Sequence, residues 1–417
     1  LRAAALSLAL VAAACGGEPN RVAAVAVPRP QAGASLVGPG FAVGGTLSGL
    51  EGTGLVLSTS GQPDLTVAAG ATTFNFANGA TTGSSYAVAV KQQPVNPAQH
   101  CTVAGGSGQV AAGDVTTVAV SCVSDWKQLA PGSDFTIGLR TDGTLWGWGD
   151  NTFGQVGDGT YVSRTAPVQI GMDATWSSVA AGYYFATGVK SDGTLWSWGS
   201  AYLGNGSIKS NTPVLVGTGY TAVAAGWMHA VALKADGTVW AWGWNYANQV
   251  GDGTTVTRET PVLVGSGFSA IAAGGLHSFG VKTDGTLWGW GWNGYGQLGT
   301  GDAAPRSAPV QVGAGFISVA AGEVHSLGVK ADGTLWAWGC NEKGQLGDGT
   351  TARSLAMEQV GSGYQSVSAA GQESVALKAD GTVWAWGENG AGQLGTGTTT
   401  DGLTPVLVGT GAAAAVA

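Results

Sequence analysis

Three histidines raise the question of a metal. His229, His277 and His325 each stand three residues after a recurring Gly, and Phe135, Phe185 and Ser374 fill the same place elsewhere. Imidazoles hold zinc when their nitrogens converge to ligand-to-ligand distances of about 4 Å. Side chains at one position of a repeated unit are a whole unit apart, so no metal site is expected. The strings of the type Gly-Gln-Leu-Gly-Asp-Gly lack the ligand spacing of a calcium loop and read as turns. Carboxylates make no better case for catalysis. Glu323, Glu373 and Asp134 are the only acids at one set of variable loop positions, and no base or nucleophile accompanies them in a pattern that acid–base or covalent chemistry requires. No catalytic residue and no cofactor are expected.

The four cysteines have three separate roles. Cys101 and Cys122 begin and end the last hairpin-like section of a small β-rich segment, and in an exported domain of that size they read as a disulfide. Cys340, in "WGCNEKG", reads as a free thiol at a variable loop position. Cys15 follows "LRAAALSLALVAAA", in which one Arg precedes an apolar run too short to span a bilayer. The small residues before Cys15 and the Gly-Gly after it resemble the lipobox of bacterial lipoproteins. That resemblance implies a signal peptide over 1–15, lipidation of Cys15, export to the cell envelope, and membrane contact only through the anchor. Gly16, where an Asp would imply inner-membrane retention, points to the outer membrane or cell surface. An ordinary signal peptide with an incidental cysteine is the other reading. Residues 16–40, with Pro28, Pro30 and Pro39, suit a flexible tether.

The chain has 17 basic and 25 acidic residues, and no cluster of Lys and Arg that could follow a phosphate backbone, so nucleic acid is excluded as a partner. Abundant Gly, with Thr, Val and Trp, indicates an all-β protein rich in tight turns. Residues 41–123 hold seven short alternating runs separated by Gly and Asn, which predicts a small β-sandwich. "YAVAVKQQP…CTV" and the closing cysteine resemble the immunoglobulin-like modules of bacterial surface proteins.

Residues 124–417 are repetitive. Asp-Gly-Thr-(Leu/Val)-Trp-x-Trp-Gly starts at Asp142, Asp192, Asp236, Asp284, Asp332 and Asp380, at intervals of 50, 44, 48, 48 and 48 residues. A period in the forties built of short strands predicts propeller blades. In one unit the runs 261–264, 269–274, 277–282 and 286–291 read as four successive strands, with Asp284-Gly285 as a two-residue type I′ turn. Trp288 and Trp290 fall on one face of the last strand, and Leu287, Gly289 and Gly291 on the other. A bulky face and a shallow face let each blade dock on a copy of itself, so these indoles are expected in the core.

"AGGLHSFGVKTDGTLWGWGWNGYGQLGTG" (residues 273–301) resembles the regulator-of-chromosome-condensation repeat, recurring from Trp126 to the C-terminus. The resemblance implies a β-propeller, mostly seven-bladed in that family, with a structural histidine bonding locally. Six full motifs are followed by "TPVLVGTGAAAAVA". Either the run 405–408 completes a first blade that lacks its own Pro-Val strand, or it opens an incomplete seventh.

The loops after "AAG" and after "WGWG" must share one face of the ring, and they vary between repeats. They carry Tyr183, Tyr184, Trp227, Met228, Trp244, Tyr246, Trp292, Tyr295 and Glu323. Aromatics and Met on a rigid scaffold are interface residues, so this face is expected to bind a protein or other macromolecule. The expected protein is a monomeric, exported, non-catalytic scaffold. The alternative is an enzyme acting on a glycan polymer at the channel mouth. Relatives that inhibit β-lactamases, or that drive nucleotide exchange on a small GTPase, show what the resemblance permits; an exported chain would not meet a cytosolic GTPase.

Overall fold

A computed structural model describes residues 40–76, 79–95, 99–123 and 126–410. Cys15, the expected signal peptide and almost all of the tether lie outside the described residues. Among the described residues every regular element is a β-strand, and no helix is long and apolar enough to cross a membrane. The chain divides into two compact units.

In the smaller unit, one sheet has the order Thr73–Asn75, Val43–Ser48, Val115–Val123, His100–Ala104, and a second the order Leu65–Val67, Leu55–Ser58, Ala89–Gln92. Alternation puts Leu55 and Leu57 inward, where they share one core with Leu47, Phe74, Phe76, Val118 and Val120. Val43–Ser48 pairs in parallel with Val115–Val123. Cys101 and Cys122 are disulfide-bonded across adjacent strands, 21 residues apart in sequence. Closing a loop of that size stabilises a domain by about 3 kcal/mol.

The larger unit contains six antiparallel four-stranded sheets, here blades 1 to 6. Blade 4 runs Phe268–Ala273, His277–Lys282, Thr286–Gly291 and Arg306–Ala314, from the channel outward. The expected phase of the unit is therefore corrected. The run 261–264 lies in Arg258–Gly265, which pairs with Val239–Gly243 and closes blade 3. After the "WG" loop the chain returns to the free edge of the strand it has just left, and the Gly-rich link then starts the next sheet. Both expected endings change accordingly. Blade 1 has its own outer strand, Arg164–Gln169, and Gly402–Thr410 completes blade 6 against Thr382–Gly387.

The Asp-Gly turns also differ from expectation. Only Gly285 is left-handed, at φ +77°; Asp284 is not. The Gly285 N–H donates to the Lys282 carbonyl at 2.9 Å, so the loop has three residues and ends in a left-handed glycine. Asp284 serves another purpose. Its Oδ1 accepts from the Thr286 N–H at 2.9 Å and from the Thr286 hydroxyl at 2.6 Å. The Thr286 hydroxyl oxygen in turn accepts from Trp288 Nε1–H at 2.9 Å. All six copies repeat this chain of bonds.

Blades stack as the two-faced strand predicts, with the work divided within each Trp pair. Trp290 of blade 4 is fully buried against Val231, Leu233, Val239 and Ala241 of blade 3. Trp198, Trp242, Trp338 and Trp386 do the same for their neighbours. The first Trp of these pairs is only partly buried, because it covers a lysine. Lys282 Nζ lies 4.2 Å from the Trp288 ring centroid and 5.2 Å from that of Phe268. Lys190, Lys234, Lys330 and Lys378 sit between two rings in the same way, and Arg140 replaces lysine in blade 1. Blade 1 departs from the division: Trp146 is buried and Trp148 half-buried.

Candidate binding face

The three histidines are interior struts. His229, His277 and His325 are buried. Each bonds through Nε2 to a serine of the next blade: Ser278 at 2.8 Å, Ser326 at 2.9 Å and Ser374 at 2.9 Å. Those serines donate their own protons to the carbonyls of Gln249, Gln297 and Gln345, so the imidazole must be the donor and carries its hydrogen on Nε2. The same glutamine carbonyls accept from Trp290, Trp338 and Trp386. Burial holds the imidazoles of His229 and His277 down to about 3 and that of His325 to about 4, so all three are neutral near neutral pH. Among the described residues no group of three or more His, Cys, Asp or Glu could hold a metal ion. One alignment is corrected: Glu373, opposite Gly387, takes the histidine's place in blade 6, and Ser374 is the counterpart of Ser326. The loop there is one residue shorter.

The Gly-Gln-Leu-Gly strings are turns, organised by a buried Asn. Asn245 accepts at Oδ1 from the Val250 N–H at 2.9 Å and donates through Nδ2 to the Thr254 carbonyl at 2.9 Å. These loops carry the variable residues on a fixed base.

At the channel mouth the inner-strand ends, Ala-Ala-Gly in blades 2 to 6 and Ala-Pro-Gly in blade 1, line a cavity of about 520 Å³ together with Ser133, Tyr183, Trp227, Glu323 and Glu373. Backbone bonds link neighbouring blades around it: Tyr183 N–H to the Trp227 carbonyl at 2.9 Å, Trp227 N–H to Gly275 at 3.2 Å, Gly275 N–H to Gly322 at 3.2 Å, and Glu323 N–H to Gly371 at 2.8 Å. Gly275 makes room for an indole: a Cβ there would meet the Trp227 ring at 3.1 Å.

The expected binding residues form two kinds of group. Tyr183 and Tyr184 meet edge to face at 4.5 Å, Tyr183 lies 6.2 Å from Trp227, and Phe153 of blade 1 packs on Tyr184 at 4.6 Å. Farther round, Trp244 pairs with Tyr246 at 5.8 Å and Trp292 with Tyr295 at 5.4 Å. Met228 is joined to the second group through its carbonyl, which accepts from the Trp244 N–H at 2.8 Å. Tyr246 is 72% exposed and Tyr183 38%, while the other aromatic members are half-buried. The arc thus spans blades 1 to 4.

Blades 5 and 6 carry acids instead. Burial, aided by the charge of Glu388, pushes the Glu323 carboxyl up. Burial and Glu388 push that of Glu373 up as well, against the pull of a 2.8 Å bond from Gln393 Nε2. Phe153 and Glu388 went unnoticed in the sequence. Glu388 follows "WG" as Trp244 and Trp292 do, so its position was the available signal. Cys340 stands at that same position, a buried free thiol raised by burial.

The RCC1-like domain profile matches residues 105–417. Among solved structures, Prp20p from Saccharomyces cerevisiae is similar at 24% identity and a TM-score of 0.62, over 68% of this chain and 76% of that one. Human WBSCR16 is similar at 21% identity and a TM-score of 0.61, over 74% and 89%. These likenesses concern the fold. Comparison with curated proteins returns no significant match. With its profile match covering more than half of the sequence and six blades of the matching architecture, the chain belongs to the RCC1-like domain family.

Proposed function

We propose that the protein is a non-catalytic, exported binding scaffold that takes a protein or other macromolecule on the channel-mouth face. One observation carries this reading: the aromatic side chains from blades 1 to 4 gather on one face and stay partly exposed, although the second Trp of the pair in blades 2 to 6 is fully buried in the stack. Partly exposed Trp and Tyr on a rigid base are the usual anchors of interfaces. Prp20p, the propeller described for its binding to Gsp1p and histones, is a precedent for protein partners on this architecture. The reading includes a leader over 1–15, lipidation at Cys15, a tether over 16–40, an immunoglobulin-like spacer over 41–123, and the propeller over 124–417 as a monomer at the outer membrane or cell surface. The resemblance of residues 1–17 to a leader and lipobox supports that placement, and the sequence has no cluster of Lys and Arg for nucleic acid to follow.

The test is affinity capture from the native envelope with the full chain and with a Trp227→Ala/Trp244→Ala/Trp292→Ala variant. Capture lost in the variant is expected; undiminished capture refutes the reading. A glycan-acting enzyme draws on a different observation, the two raised carboxyls of Glu323 and Glu373 in a cleft. Glycan turnover by the full chain that Glu373→Gln abolishes would establish it.

A further inference from the structure

The channel mouth is chemically lopsided, and this narrows what the face can take. Ser133 and the aromatic rings of Tyr183 and Trp227 stand on the side of blades 1 to 3; Glu323 and Glu373 stand on the side of blades 5 and 6. The wall between them is Ala and Gly, which offers shape and no competing side chain. We infer that the cavity is a receptor for one cationic side chain, an arginine or lysine presented by the partner protein, seated between the Trp227 ring and the carboxylates of Glu323 and Glu373. The inference rests on the proposed binding face and specifies what enters its centre.

Three features support it. The first is unspent charge. Among the described residues no ion pair joins Glu323 or Glu373 to a basic group; Lys343, the nearby cation, serves Glu388 at 3.9 Å and Asp401 at 3.5 Å. Both carboxyls are half-buried and feel Glu388, so in the free protein their charge is costly, and an incoming cation offsets that cost. The second is the ring. Trp227 is held by backbone bonds on both sides and lies over Gly275, and an indole face attracts a cation more strongly than other rings do. The third is the surrounding field. Asp134 and Asp150 add negative charge on blade 1, and their backbones are bonded to each other at 2.8 Å. A negative rim steers a basic partner toward the mouth. An apolar insert would bury the carboxylates further without supplying a counter-charge, and an anionic one would be repelled.

The experiment compares acetyl-arginine amide with acetyl-citrulline amide, which matches it in length and shape without the charge. Each is titrated into the full chain at low ionic strength, with tryptophan fluorescence and calorimetry as readouts. The arginine compound is expected to bind about ten-fold more tightly, and Glu323→Gln/Glu373→Gln, which keeps shape, is expected to abolish the preference. Equal affinity for the two compounds, including no measurable binding of either, overturns the inference. So does a preference that survives the double substitution. The two readings fail separately. If the double glutamine variant captures the envelope partner undiminished while the triple Trp variant does not, the cation receptor is wrong and the binding face stands.

Discussion

The two ends of each blade use similar loops and treat sequence in opposite ways. At the Asp-Gly end, all six copies keep the same Asp, Thr and Trp, joined by the same three bonds, with a cation held between two rings. At the channel-mouth end, the residue after "WG" is Asp150, Ser200, Trp244, Trp292, Cys340 or Glu388. Every one of these has its backbone N–H bonded to the carbonyl of the paired loop in its own blade, as in Asp150 to Asp134 at 2.8 Å and Trp292 to Leu276 at 2.9 Å. A position whose side chain has a partner in every copy tolerates one residue type. A position at which the backbone bond is all that the copies share is free to change, and there the surface can be adapted to a ligand.

Four tests would break or sharpen this contrast. The largest effect belongs to the stack: Trp290→Ala should cost about 3–5 kcal/mol in urea denaturation, and Trp148→Ala, at a half-buried copy, clearly less. Equal losses would mean that neighbour docking does not set the strength of the fold. Next comes acid. His277 is held down to about 3 in the fold against an ordinary 6.5, so the unfolded chain binds more protons between those values. Stability is full above 6.5 and falls as pH drops below it. His277→Gln should flatten the decline between pH 6.5 and 5 by about 2 kcal/mol; an unchanged slope would show that the imidazole titrates normally. Lys282→Met, which keeps the stem and removes the charge between Phe268 and Trp288, should cost about 1 kcal/mol. Finally Trp227→Ala should leave stability within about 0.5 kcal/mol while weakening capture of the partner. A large loss of stability there would place Trp227 with the structural rings.

Much of this was legible in advance, and the misreadings have definite physical origins. The large and small faces of "TLWGWG" follow from strand alternation alone, and the docking of Trp290 on blade 3 bears them out. The phase of the repeat was not legible, because a run such as 261–264 is equally able to open a sheet or close the one before it; only its pairing with Val239–Gly243 decides. Asp284 looks like a residue chosen for positive φ, whereas its side chain caps Thr286. The relay from His277 to Ser326 to Gln297 joins residues 49 and 29 positions apart, a separation that strand periodicity cannot see. At the candidate site the aromatic positions were visible as departures between copies. That Glu323 and Glu373 share one cavity with Trp227 depends on the ring bringing blades 3, 5 and 6 around a common axis.

The sandwiched lysines give the molecule an internal reporter. An amine enclosed by two rings, with the Lys190 side chain only 12% exposed, leaves little room for an acylating reagent to approach. Lys190, Lys234, Lys282, Lys330 and Lys378 supply one such shielded amine in each of blades 2 to 6. The rate at which each is chemically tagged therefore records how often that sheet opens, separately for five neighbours in a row.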